Sequence, residues 1–238
     1  MNKKIQPLEI YKRSEEFGLK NSFNLLTEII ETDKNDNKRR ESIKYLGLIS
    51  NNSIQLKKEC FETLENILVS DDKIEIRCEA AKSLGRIKYE KALKSLNWVL
   101  EQKPINNEIK ISVLKAMHKI RFEEPEIKLF INELDSEVHS IKDFVTIQLL
   151  SLKHEQLIDL LLSALKNKFF SNKHKTEVIR LMGYELSSIN ISFEDTNYIK
   201  IKHPKILSDL IQNKSILMEV ITQNLREEDS NLMDAVTT

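Results

Sequence analysis

A chain of 238 residues can bury a sizeable core, and 40% hydrophobic with 31% charged residues is the balance of a folded globular protein. Only four Gly and four Pro are present, too few for the turns of a many-stranded β protein, so the composition points to an all-α fold. Lys plus Arg and Asp plus Glu both total 37, which leaves no net charge to draw the chain onto nucleic acid or an anionic membrane.

Residues 5–32 read as an N-terminal cap of two helices. Pro7 suits a first helical turn, and Gly18 suits the position just past a helix ending at Phe17. Asn21 is placed to cap the second helix, which carries Phe23, Leu26, Ile29 and Ile30 on one side.

From residue 33 to about 186 the chain repeats. The clearest unit starts at Asp71 and reads Ile76-Arg77, Ala80-Ala81, Leu84-Gly85 and Ile87 at helical spacing. Asp72 is the expected N-cap, with Glu75 three residues on. Ala80 and Ala81 are small enough to admit a neighbouring helix closely. A second amphipathic stretch follows with Ala92, Leu93, Leu96, Val99 and Leu100. Upstream, Arg39, Ile43, Leu46, Gly47 and Ile49 match this register at a shift of 38 residues (39 to 77). Downstream the register returns at Lys110, Lys142 and Lys175, with shifts of 33, 32 and 33 (77 to 110 to 142 to 175). Further second stretches fall near 53–69, 125–134 and 155–167. The whole reads as a right-handed α-solenoid of stacked antiparallel helix pairs, in which neighbouring pairs build one continuous core.

One basic residue recurs inside the apolar arc of every first helix: Arg39, Arg77, Lys110, Lys142 and Lys175. A buried charge needs a partner, so these positions read as a ladder at the inter-repeat seam, reaching for acidic caps or carbonyls of the adjacent turn. A basic stripe for an acidic partner is the alternative.

The stretch IRCEAAKSLGRI resembles the HEAT-like repeat of phycobilin lyases and of many archaeal and bacterial scaffold proteins. The resemblance is best at 72–102 and weaker across 33–186; it implies an α-solenoid and no particular activity. The signature patterns of tetratricopeptide and ankyrin repeats are absent.

Residues 187–203 break the rhythm, with Ser-Ile-Asn-Ile-Ser-Phe alternating at period two, and read as a connecting loop or one small hairpin. Cap helices are expected over 204–226, followed by a flexible acidic tail at 227–238. The solenoid as a whole spans 1–226.

Catalytic patterns are not visible. Four glycines supply neither a phosphate-cradling loop nor a nucleophile elbow. Cys60 and Cys78 have no metal-ligand spacing and read as reduced thiols of a cytoplasmic protein. His154-Glu155 resembles one His-Glu pair of the HEAT-like deoxyhypusine hydroxylases, but that di-iron family needs several, so no metal or cofactor is expected. HEAT-like DNA glycosylases rely on a strongly basic face, which a neutral chain with one Trp does not match. No apolar run reaches the eighteen or so residues that span a bilayer.

The reading is therefore a non-enzymatic, monomeric scaffold or adaptor that binds a protein partner on its concave second-helix face. A phycobilin lyase, or lyase-like chaperone of chromophore attachment, is the alternative, and a nucleic-acid-binding HEAT-like protein a remote one. The anchor is expected at Trp98, which points away from the apolar stripe of its helix, with Lys94, Glu101, Glu62 and Leu129 around it.

Overall fold

The computed structural model describes residues 5–188 apart from Lys166; for Asn52, His154, Glu155, Leu162, Asn172 and 183–188 it describes the backbone alone. The anticipated cap helices at 204–226 and tail at 227–238 lie outside the described residues, as does the irregular segment from 189 on. Residues 187 and 188 still belong to a helix. Every regular element among the described residues is helical. The chain divides into two compact units, residues 1–126 and 127–238.

In the first unit, α1 (Pro7–Lys12) and α2 (Ser14–Phe17) precede α3 (Leu19–Thr32), α4 (Asp36–Ile49), α5 (Ile54–Ser70), α6 (Ile74–Ile87), α7 (Ala92–Glu101) and α8 (Asn107–Ile120). These helices form two layers. The first helices of the repeats, α4, α6 and α8, lie side by side, while α3, α5 and α7 make up the other layer. Each second helix packs more extensively on the first helix of the following unit than on that of its own, so the close pairs are α3 with α4, α5 with α6 and α7 with α8. Leu46, Leu64, Leu68, Leu84 and Leu96 are wholly buried between the layers.

The first helices approach closely because small residues meet at their seams. A Cβ built on Gly47 would lie 2.9 Å from Ser83 Cβ, and one on Gly85 would lie 2.9 Å from Ala116 Cα. Gly47 and Gly85 occupy the same register position in successive repeats. Ala80 and Ala81 are fully buried in α6, as the register requires.

Buried charge is paired throughout this unit. Arg86 Nη1 donates to Glu79 Oε1 (2.7 Å) and to Ser83 Oγ (2.8 Å), and Ser83 Oγ donates to Ile43 O (3.0 Å), tying α6 to α4. Glu126 receives Arg121 at 2.8 Å. Such pairs offset the desolvation of carboxylates buried among apolar side chains.

Two anticipated caps fall elsewhere. The N-cap of α6 is Lys73, not Asp72, and it makes no side-chain cap. The turn is instead held by Asp71, whose Oδ1 accepts the Lys73 N–H at 2.9 Å. Asn21 lies within α3, which begins directly after Gly18. Gly18, at φ +81° between α2 and α3, is itself the N-cap residue of α3 and has no side chain to cap with.

The second unit holds most of α9 (Glu124–Ile131), with α10 (His139–Leu150), α11 (His154–Leu165) and α12 (Asn172–Ser188). Phe130, Val145, Leu149, Leu157, Leu161 and Val178 form its core. Lys142 Nζ meets Glu177 Oε1 at 2.8 Å, joining α10 to α12.

Candidate functional site

In the layer of second helices of the first unit, α5 and α7 present corresponding solvent-exposed arcs. On α5 the buried residues Cys60, Leu64 and Ile67 match Ala92, Leu96 and Val99 on α7, which sets Glu62 level with Lys94 and Asn66 level with Trp98. Seam contacts hold the layer together: Lys20 of α3 pairs with Glu59 of α5, and Ser95 of α7 donates to Glu65 of α5. Hydrogen bonds from Lys20 and then Gln55 keep the Glu59 carboxyl below the ordinary carboxylate range.

Trp98 is 44% exposed on this face. Around it on α7, Lys94 and Glu101 are exposed, Asn97 Nδ2 donates to Glu101 Oε1 at 2.7 Å, and Gln102 Nε2 donates to the Trp98 carbonyl at 3.1 Å. Glu62 is exposed on α5, 4.0 Å from Lys58. Leu129 is half-buried on α9 and belongs to the second unit. Val69, 41% exposed on the polar arc of α5, is a further apolar residue on the same face that the sequence reading passed over. Its signal is an apolar residue three positions beyond exposed Asn66, outside the buried stripe.

The recurring cations take up distinct positions. Arg39 Nε donates to Ile30 O at 3.0 Å, its Nη1 lies 3.4 Å from Asp36, and its Nη2 donates to Asp71 of the next repeat. Arg77 Nε donates to Leu68 O at 2.7 Å. Both arginines thus satisfy a carbonyl in the last turn of the preceding second helix, where the helix dipole also favours a cation. Lys142 pairs with Glu177, and Lys110 and Lys175 are half-buried on α8 and α12. Arg77→Met is expected to destabilise the first unit by about 1–2 kcal/mol, because it leaves that carbonyl without its charged donor. Chemical denaturation of the variant against the parent chain measures this.

Reactive groups are muted here. Burial pushes the Cys60 thiol up to about 12 and raises Cys78 as well, so both are protonated and weakly nucleophilic near neutral pH. Burial, with Lys119 beside it, lowers His118 below the ordinary histidine range. Among the described residues no three of His, Cys, Asp and Glu stand close enough to share a metal ion. The side chains of His154 and Glu155 lie outside the described residues.

Two layers of paired helices, with small residues at the seams and arginines on helix ends, define an all-helical repeat protein. The family model for HEAT repeats matches residues 23–118, the stretch that runs from within α3 to within α8. No protein of curated function matches the sequence. Among solved structures, an engineered protein aligns at 15% identity over 78% of this chain and 85% of its own, with a TM-score of 0.43. The protein YibA of Escherichia coli aligns at 16% identity over 98% of this chain and 92% of its own, with a TM-score of 0.48. No helix among the described residues is long and apolar enough to cross a membrane.

Proposed function

We propose that this protein is a non-enzymatic HEAT-repeat adaptor that binds a protein partner on the second-helix face of its first unit, anchored at Trp98. The observation that carries the reading is a lone Trp standing 44% exposed on an otherwise polar helix face. Indole surface left in water is unfavourable, and Trp is the residue most enriched where partners bury binding energy. Lys94, Glu62 and Glu101 form a charged rim, the arrangement in which a buried anchor is ringed by solvent-excluding polar contacts. HEAT repeats commonly mediate protein interactions, which favours this use of the face. The two buried, protonated thiols suit a reducing compartment, consistent with a cytoplasmic protein.

Affinity capture from native lysate with parent and Trp98→Ala chains tests the reading. The variant is expected to keep its melting temperature within a few degrees and to lose its specific partner. A collapsed melt, with normal capture by the fraction still folded, would make Trp98 a packing residue and remove the site.

A further inference from the structure

Lys91, Lys94, Trp98 and Glu101 are all exposed and follow one another at steps of three, four and three residues. Lys91 is the N-cap of α7 and the other three lie within it, so the four side chains form one stripe along the helix. At about 1.5 Å per residue, Lys94 stands about 6 Å and Lys91 about 10 Å from Trp98 along the axis. Neither lysine makes an ion pair among the described residues. Lys20 and Lys58, the exposed lysines of α3 and α5, are instead met by Glu59 and Glu62. Glu90, beside Lys91 in sequence, acts on Arg121, behind Glu126 and Glu123. At the other end of the stripe, Glu101 accepts from Asn97. The stripe is therefore basic at one end, aromatic in the middle and acidic at the other.

Resting on the reading of Trp98 as the anchor, we propose that its occupant is an amphipathic helix of a protein partner, with acidic residues one and two turns from the apolar residue seated on Trp98. A helix laid along α7 meets the stripe at its own spacing. Its carboxylates reach Lys94 and Lys91, while its apolar residues cover Trp98 and Val69. A single-stranded nucleic acid also offers anions and stacking bases. Its charge, however, is uniform along the backbone, so it would meet Glu101 and Glu62 as well as the lysines. A peptide helix can confine its carboxylates to one end, and that asymmetry matches the stripe.

Two synthetic helical peptides that share one leucine stripe test the proposal on the full chain. One carries Glu four and seven residues from its central Leu, the other Lys at those positions, and Trp98 emission reports docking of either. At about 50 mM salt the Glu peptide is expected to shift the emission to the blue at about tenfold lower concentration than the Lys peptide. Near about 0.5 M salt that difference shrinks to about twofold or less, because exposed charges are screened. Lys91→Glu combined with Lys94→Glu leaves the melt unchanged, both positions being exposed, and reverses the preference. Equal affinity for the two peptides, or a preference that the double variant retains, overturns the acidic occupant while leaving Trp98 as the anchor. A single-stranded oligonucleotide that docks as tightly as the Glu peptide overturns it as well. If neither peptide shifts the emission the proposal fails, and capture with Trp98→Ala judges the anchor separately.

Discussion

Ala81→Asp is expected to lower the melting temperature of the first unit by about 10 °C or more, or to prevent its folding. Ala81 is fully buried in α6, the helix that packs against α4, α5 and α8. A carboxylate there has no water and no room for a partner, and burying one unpaired commonly costs several kcal/mol. At roughly 2–4 °C per kcal/mol for a chain of this size, the shift is large. The damage extends beyond α6 because each repeat is stabilised mainly through its neighbours. Lys82→Gln, at the exposed next position, is the control and should melt within a degree or two of the parent. A melt of Ala81→Asp close to that of the control would remove Ala81 from the helix contact.

The second large effect concerns Gly85. In an isolated helix Gly→Ala is stabilising by about 1 kcal/mol. Here the new Cβ would stand 2.9 Å from Ala116 Cα, and backbone cannot swing aside as a side-chain tip can. Helices α6 and α8 must separate, loosening the contacts of Val113, Leu114 and Met117 in the core. Gly85→Ala is therefore expected to destabilise by about 1–3 kcal/mol, the usual range for overpacking, and Gly85→Leu by more. Denaturant midpoints that move upward for Gly85→Ala would show that the α6–α8 seam has slack.

The repeat was legible in the sequence because its signals are local and redundant. Arg39 and Arg77 sit nine residues beyond Ile30 and Leu68, whose carbonyls they reach, so one register encodes both helix spacing and the seam contact. Gly47 and Gly85 recur in the same register, and it is the structure that shows both standing at a close approach between helices. Caps were less legible. Asp71 and Asp72 are chemically equivalent candidates, and only the path of the chain decides that Asp71 holds the turn while also meeting Arg39. The pairing of each second helix with the following first helix was hidden as well, because apolar periodicity gives a buried face without naming its neighbour. Phe169 and Phe170 show the same limit: adjacent and identical, one is 97% exposed and the other half-buried against His174. The polar arc holding Trp98 could be computed from α7 alone, whereas the neighbours of that arc depend on how α5 is set beside it.

Trp98 is the only Trp in the chain, so its intrinsic fluorescence reports on the proposed binding face alone. Acrylamide quenching of that emission, in the free chain and then in complex with the partner captured by the parent protein, tests the central claim most directly. The expected result is efficient quenching in the free chain, with strong protection and a blue-shifted emission in the complex. A complex in which Trp98 is quenched as readily as in the free chain would place the partner elsewhere and contradict the adaptor site described above.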